Sequence, residues 1–313
     1  MSLPLTLRQL EYLVAVAEVG SLTRAASDLH VSQSALSMAI ADLERTLDVQ
    51  LFIRQPRGVT PTSVGHRVLA DARRLLSGVG DLQNAARDAH ESMSGQLVVG
   101  CYSTLSPILL PPVIAAFAEH HPAVDLQFVE GSHAYLQEQL RHGVLDLALM
   151  YRYGAELFSP SEDLVRTKVL HSPPYVLLPT GHRLARRRTL RLRDLVEEPM
   201  VLFDLPPGGD YFRGLFASEG LAPHVRFRTT SFEMVRALVA RSLCYSILSQ
   251  HTRIQQSYEG LSYLTRPLAG GHGGLDIDVV RLANARPTLR AQAFVTECRG
   301  ALNGGVESAP TSP

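Results

Sequence analysis

The stretch "VSQSALSMAIA", residues 31–41, carries no charge yet holds Ser32, Gln33, Ser34 and Ser37. Hydroxyl and carboxamide groups both donate and accept hydrogen bonds. That is the chemistry needed to read base edges in the major groove of DNA. Projected as a helix over 32–47, Leu36, Ile40, Leu43 and Leu47 share one side. Ser34, Ser37, Met38, Ala41 and Arg45 lie opposite, with Gln33 in the first turn. A face made only for water usually carries Lys and Glu; this one is small and nearly neutral. Arg24, Arg54 and Arg57 would reach phosphates on either side, where contacts position a protein while base contacts specify the sequence.

Those side chains need a scaffold, and residues 1–61 read as three helices and a hairpin. Leu7, Leu10, Val14 and Ala17 repeat at helical spacing, and Gly20 ends that helix. Ser21 stands where an N-cap belongs, and Ala25, Ala26 and Leu29 give the second helix its buried side. Ser32 caps the third. "LFIRQPRGVTP" then supplies two β-like runs around Pro56–Gly58, with Arg54 and Arg57 near the tip. The charge count argues against a nucleic-acid partner. Arg8, Arg24, Arg45, Arg54 and Arg57 face Glu11, Glu18, Asp28, Asp42, Glu44 and Asp48, whereas such binders normally show a basic patch. Distribution answers this in part, because Arg54 and Arg57 cluster in the hairpin. Periodicity alone leaves two readings open, a DNA-binding helix-turn-helix and a three-helix module that docks on protein.

Residues 62–90 form one long amphipathic segment, ~43 Å as a helix. Val68, Leu75, Leu82 and Ala89 fall seven apart, with Ala72, Val79 and Ala86 between them. That seam predicts pairing with a second copy; the other reading is a helix packed on its own domain. Gly78 and Gly80 weaken its second half. From Gln96 onward, short apolar runs ("LVVG", "DLQFVE", "LDLALM", then "PMVLF", "VRFRT", "CYSILS") alternate with helical stretches. Such alternation predicts parallel sheets covered by helices. Residues 91–302 therefore form an α/β unit of two lobes, one over about 95–165 and 268–302, the other over about 166–267. The chain crosses between them twice and leaves a cleft. The tail, 303–313, is turn-rich and expected to be disordered.

A chain of 313 residues with 45% apolar content can fill two or three cores, and a formal net charge of zero names no partner. Cys101, Cys244 and Cys298 are odd in number and far apart, neither a disulfide framework nor a zinc pattern. No signal-peptide pattern opens the chain and no run is long enough to span a bilayer. A soluble cytoplasmic protein without membrane partner, metal or cofactor is expected.

Residues 7–65, "LRQLEYLVAVAEVGSLTRAASDLHVSQSALSMAIADLERTLDVQLFIRQPRGVTPTSVG", resemble the winged helix-turn-helix of LysR-type transcriptional regulators. The spacing of "AA…L.VSQ.ALS..I..LE..L…LF.R" carries the likeness, and the order of the remaining segments agrees with it up to the tail. The resemblance implies an all-α winged helix-turn-helix, a dimerising linker helix and an effector domain like a periplasmic binding protein. It implies a non-enzymatic regulator that binds a double-stranded DNA operator as a homodimer or homotetramer under control of a small molecule, with RNA polymerase a further candidate partner. The family's base readers map onto Gln33, Ser34, Ser37 and Met38, with Arg54 and Arg57 on the wing. Two departures stand out: the family usually has Pro at the place of Ser34 and a polar or basic residue at that of Met38. Met38 can touch a thymine methyl but cannot read guanine.

Four loops face the expected cleft: "CYSTLS", "EGSH", "DLPPGG" after Phe203, and "TTSFE". Ser103, Thr104, Ser132, Thr230 and Ser231 put hydroxyls at helix starts, where free backbone N–H groups suit an anionic or carbonyl-bearing molecule. With Phe203 they are the expected effector contacts, against the plainer reading that each hydroxyl only caps its helix. Other features read as inert. "HRLARRRTLRLR", 182–193, is a solvated loop, His120–His121 a helix cap, "GGHGG" no phosphate loop, and Cys101 a buried thiol, although a redox role is conceivable. The rival readings are a solute-binding protein and a two-lobed α/β enzyme. The missing signal peptide and the long N-terminal motif count against the first. The lack of a nucleophile motif such as G-x-S-x-G counts against the second.

Overall fold

The computed structural model describes residues 5–56, 58–87, 93–154, 162–252 and 254–306. Helix α1 (Leu7–Val19) opens on a capping box between Thr6 and Gln9 and stops at Gly20, whose φ of 67° suits glycine. Ser21 caps α2 (Leu22–Asp28) and Ser32 caps α3 (Gln33–Leu47), its Oγ accepting the Ala35 N–H at 3.1 Å. The inner side of α3 is Leu36, Ile40 and Leu43. On α1 the packed stripe is Leu10, Leu13 and Val16, while Leu7 is 45% exposed and Val14 and Ala17 are only half-buried. Leu10, Val14 and Ala17 do touch the core, as their helical spacing implies, but Leu13 and Val16 complete its fully buried stripe. Helical spacing fits either set, and the direction from which α2 and α3 approach decides between them.

Strands β1 (Phe52–Gln55) and β2 (Gly58–Pro61) pair antiparallel, Phe52 opposite Pro61. The hairpin is tied to α1 where Val59 donates its N–H to the Gly20 carbonyl at 2.9 Å. Gly58 has φ 141°, and a Cβ there would lie 2.2 Å from that same carbonyl oxygen. Only glycine fits. Helix α4 (Ser63–Arg87) follows, and its seam divides. Leu69 and Ala72 are buried in the N-terminal core with Val68 packed against it, while Leu75 points outward, 57% exposed. The reading that all the seam residues face a second copy is thereby corrected, because the N-terminal half of the helix must also cover α1. Leu82, Ala86 and Ala89 lie beyond the described side chains.

Lobe one holds β3 (Gly95–Tyr102), α5 (Ser106–His120), β4 (Val124–Gly131), α6 (His133–Arg141), β5 (Leu147–Arg152) and β6 (Leu164–Ser172). Lobe two holds β7 (Tyr175–Pro179), β8 (Met200–Phe203), α7 (Gly208–Ser218), β9 (Val225–Thr229), α8 (Phe232–Ala240), β10 (Ser246–Leu248) and β11 (Tyr263–Pro267). The chain then returns as β12 (Leu275–Leu282) and α9 (Leu289–Val306). The sheet of lobe one runs β4-β3-β5-β12-β6. Three expectations change here. Strand β6 pairs with β12 in this sheet, so the first crossing falls at 173–174 rather than near 166. The sheet is mixed, because β12 runs antiparallel to both β5 and β6 when the chain re-enters from lobe two. Helix α9 extends to Val306, past the expected start of a disordered tail; residues 307–313 lie outside the described residues. In lobe two β8 and β9 are parallel, and β10-β7-β11 is antiparallel.

The arginine-rich run is also more than a solvated loop. Leu184, Leu190 and Leu192 are buried, and Arg183 and Arg187 pair with Glu198 and Asp194 at 2.5 and 2.7 Å. Nor do the adjacent histidines merely cap α5: His120 Nδ1 meets Glu297 of α9 at 2.9 Å. Among the described residues no helix is long and apolar enough to cross a membrane, and no cluster of metal-ligating side chains occurs.

Candidate functional site

Capping at Ser32 starts α3 abruptly, so its first turn projects from the domain with Gln33 and Ser34 in solvent. Ser37 is half-buried one turn later, and Met38 is 65% exposed. An unbranched apolar side chain left that open has no packing role within the chain. Arg45 is held on its own helix by Asp42 at 2.9 Å. The wing is fixed to this helix by two devices. The Glu44 carboxylate accepts the backbone N–H groups of Leu51 and Phe52 at 2.7 and 3.1 Å. Exposed Arg54 donates from Nη2 to Ser37 Oγ at 3.3 Å. Gln33, Ser34, Ser37, Met38 and Arg54 therefore form one continuous surface, with Arg24 exposed on α2. Arg57 lies outside the described residues.

The two-lobe cleft is built differently. Ser103 and Ser132 come together through the bond from the Ser103 N–H to the Gly131 carbonyl, 3.1 Å. Ser132 and Ser231 are both exposed and cap α6 and α8, each accepting a backbone N–H at 3.3 Å. Thr230 is exposed, whereas Phe203 is buried in lobe two and stacks on Phe232, centroids 4.2 Å apart. Thr104 is 6% exposed, and its hydroxyl pairs with that of buried Tyr151.

Behind these loops lies a polar and aromatic interior that the sequence reading missed. Tyr102, His133, Tyr153 and Tyr211 form a chain of ring contacts at 6.4, 5.9 and 6.0 Å that passes from lobe one to lobe two. Burial pushes the Tyr102 and Tyr211 hydroxyls up to about 12 and the His133 imidazole down to about 4. His133 is thus neutral near pH 7, and its Nε2–H donates to the Tyr151 carbonyl at 3.2 Å. Ser249, 2% exposed, faces Tyr211, and the hydrogen bond between their hydroxyls offsets part of the effect of burial on the tyrosine. Gln250, 5% exposed, spans the cleft. Its Nε2 donates to the Thr104 carbonyl, its Oε1 accepts from Arg236 Nη2 at 3.1 Å, and its own carbonyl accepts the Tyr175 hydroxyl at 2.5 Å. The tyrosines at strand ends, "CYS" and "YRY", were the signal available in the sequence; Gln250 gave none.

All three thiols are buried and unpaired. Burial pushes Cys244 up to about 11, Cys298 to about 12 and Cys101 higher still. Such groups carry almost no thiolate at neutral pH.

Residues 7–66 match the family model of the bacterial regulatory helix-turn-helix protein, lysR family, and residues 90–303 match that of the LysR substrate binding domain. The hydrogen peroxide-inducible genes activator of Pectobacterium carotovorum subsp. carotovorum is 31% identical over 264 residues, 83% of this chain and 85% of that protein. The structure of a putative LysR family transcriptional regulator from Pseudomonas aeruginosa is 32% identical, covering 95% of this chain and 99% of that one, with TM-score 0.63. A full-length OxyR variant from Pseudomonas aeruginosa, 25% identical, covers 94% and 95% with TM-score 0.73. Two matched domains in the order that the fold displays, spanning nearly all of the chain, leave one conclusion: this protein belongs to the LysR family of DNA-binding transcriptional regulators, with an N-terminal helix-turn-helix and a two-lobed effector-binding domain.

Proposed function

We propose that Gln33, Ser34, Ser37 and Met38 read the base edges of an operator while Arg54 steers the wing along its backbone. We further propose that the cleft takes a small effector presenting an acceptor oxygen, either a carboxylate or a carbonyl. The observation that carries the cleft reading is the pair of hydroxyls, Thr104 from lobe one and Ser249 from lobe two, each more than nine-tenths buried and each facing only a tyrosine hydroxyl, of Tyr151 and Tyr211. Two facing hydroxyls use one proton between them, so each pair keeps a donor whose burial costs about 1–3 kcal/mol until an incoming oxygen accepts it. Arg236, whose Nη2 holds Gln250 Oε1, carries a buried Nε that also lacks an acceptor.

Regulators of this family bind operators as oligomers. Here the outward Leu75 on α4 is the residue on which two copies would pair, giving a dimer or, through the lobes, a tetramer. RNA polymerase would meet the DNA-bound assembly, in the cytoplasm where the DNA is. A relative is named for induction by hydrogen peroxide. The three buried, protonated thiols favour a reversibly bound effector over oxidation of a cysteine. The test is a panel of small carboxylates and carbonyl compounds, scored by melting shift and by release from or remodelling of operator DNA. Thr104→Val and Ser249→Ala should each raise the half-effective concentration of an active compound about tenfold and leave ligand-free operator binding intact. Wild-type responses from both variants would move the effector elsewhere.

A further inference from the structure

We infer that Gln250 is the latch that sets the lobe angle in the ligand-free regulator. The lobes are joined covalently only near 173–174 and 268–274, the segments between β6 and β7 and between β11 and β12. Such a pair of crossings permits rotation, so something beyond the hinge must choose one angle. Few described side chains bond across the gap. The Tyr102 hydroxyl reaches the Pro206 carbonyl at 3.4 Å, too long to hold much. Ser172 Oγ donates to the Ser249 carbonyl, a single bond from a short side chain beside the first crossing, from which Gln250 also reaches. Among the described residues, Gln250 alone combines burial with engagement of both ends of its amide. One end holds the Thr104 carbonyl of lobe one, and the other holds Arg236 on α8 of lobe two. Its backbone is pinned by Tyr175 at 2.5 Å, and the next residue, His251, approaches the Pro173 carbonyl at 3.0 Å. The amide therefore cannot follow one lobe without leaving the other.

Its position gives it a regulatory use. The two hydroxyls assigned above to the effector flank it, Thr104 as the residue whose carbonyl it binds and Ser249 as its chain neighbour. An oxygen entering between them must compete with the amide for that space or draw it aside. Binding and release of the latch become one event, which is how an occupied cleft would alter the spacing of two paired DNA-reading modules. This coupling rests on the cleft reading; the latch itself does not.

The experiment uses the full-length protein, without ligand, on a duplex that the wild type selects from a randomised pool. Gln250→Ala removes the amide. Gln250→Asn keeps its chemistry and shortens its reach. Both should exchange backbone hydrogens of residues 103–106 about fivefold faster, the order expected for one lost hydrogen bond. Both should also move a footprint edge or the DNA bend, with half-sites re-spaced by about one helical turn, roughly 10 base pairs. Faster exchange with an unchanged footprint would reduce Gln250 to a structural contact and overturn the inference, as would no change in either. If the Gln250 variants shift the footprint while Thr104→Val answers effectors like the wild type, the latch stands and the effector site lies elsewhere. The reverse pattern, an altered dose response for Thr104→Val with an unmoved footprint for Gln250, rejects the latch alone.

Discussion

The proposed DNA-reading surface and the cleft use the same kinds of polar side chain in opposite states. Gln33 and Ser34 stand in solvent on a helix whose inner face is apolar and whose cap is Ser32, all within a few residues of one another. In the cleft, Thr104 and Gln250 meet across 146 residues of chain and are buried together. An exposed polar face keeps its hydrogen-bonding capacity free for a partner that arrives as a rigid duplex. A buried polar cluster is already engaged with itself, so a ligand entering there must exchange one set of bonds for another. The first arrangement suits recognition; the second suits a switch.

The comparison breaks most sharply if the reading surface works as a single copy. Leu75 is more than half exposed and outside the buried core, so Leu75→Glu should leave the fold intact, as circular dichroism would report. It should also dissociate the oligomer and, by loss of the linked second module, weaken operator binding on the order of 10²–10⁴-fold. A dimer mass unchanged by the substitution would show that copies pair elsewhere. On α3 itself the two faces should respond oppositely. Leu36 is fully buried, and Leu36→Ala should destabilise the N-terminal domain by roughly 2–5 kcal/mol in denaturant unfolding. Met38→Ala should leave the same midpoint nearly unchanged, and a loss of more than about 1 kcal/mol would mean that Met38 belongs to a core.

The cleft predicts its own pH dependence. The unfolded His133 imidazole takes up its proton near pH 6.5, the folded one only near 4. Between those values the unfolded chain binds more protons, so this contribution is fully present above about pH 6.5 and is lost as the pH falls toward 4. Its full size is about 3 kcal/mol. Urea unfolding at pH 7 and pH 4.5 should show that loss in the wild type and much less of it in His133→Gln. The same slope in both proteins would remove His133 as its source.

The difference in legibility follows from the same contrast. The caps Ser21 and Ser32, the stop at Gly20 and the hairpin around Gly58 act within four residues along the chain. Each was therefore visible as a residue type at a spacing. Short apolar runs separated by helical stretches likewise announced two α/β lobes. What stayed hidden depends on tertiary choices. Whether Ala72 faces a partner or its own α1 cannot be told from a heptad that suits both. The direction of β12 follows from where the chain re-enters lobe one. In the cleft the hydroxyls chosen by their places at helix starts turned out to divide. Ser132 and Ser231 are occupied as caps, and Thr104 is buried against Tyr151. Ser249 and Gln250 follow β10 while Tyr211 stands on α7, and only the folded lobes bring them to the same place.

The smallest of these effects tests the central claim most directly, that the neutral outer face of α3 reads sequence. Wild-type protein and Gln33→Ala are titrated against the selected operator and against random duplex of equal length at one salt concentration. The account predicts a loss of about 1–3 kcal/mol on the operator and almost none on random DNA, since Gln33 is exposed in the first turn and would contact base edges rather than phosphates. An equal loss on both duplexes would place Gln33 on the DNA backbone and contradict the assignment of base reading to this helix face.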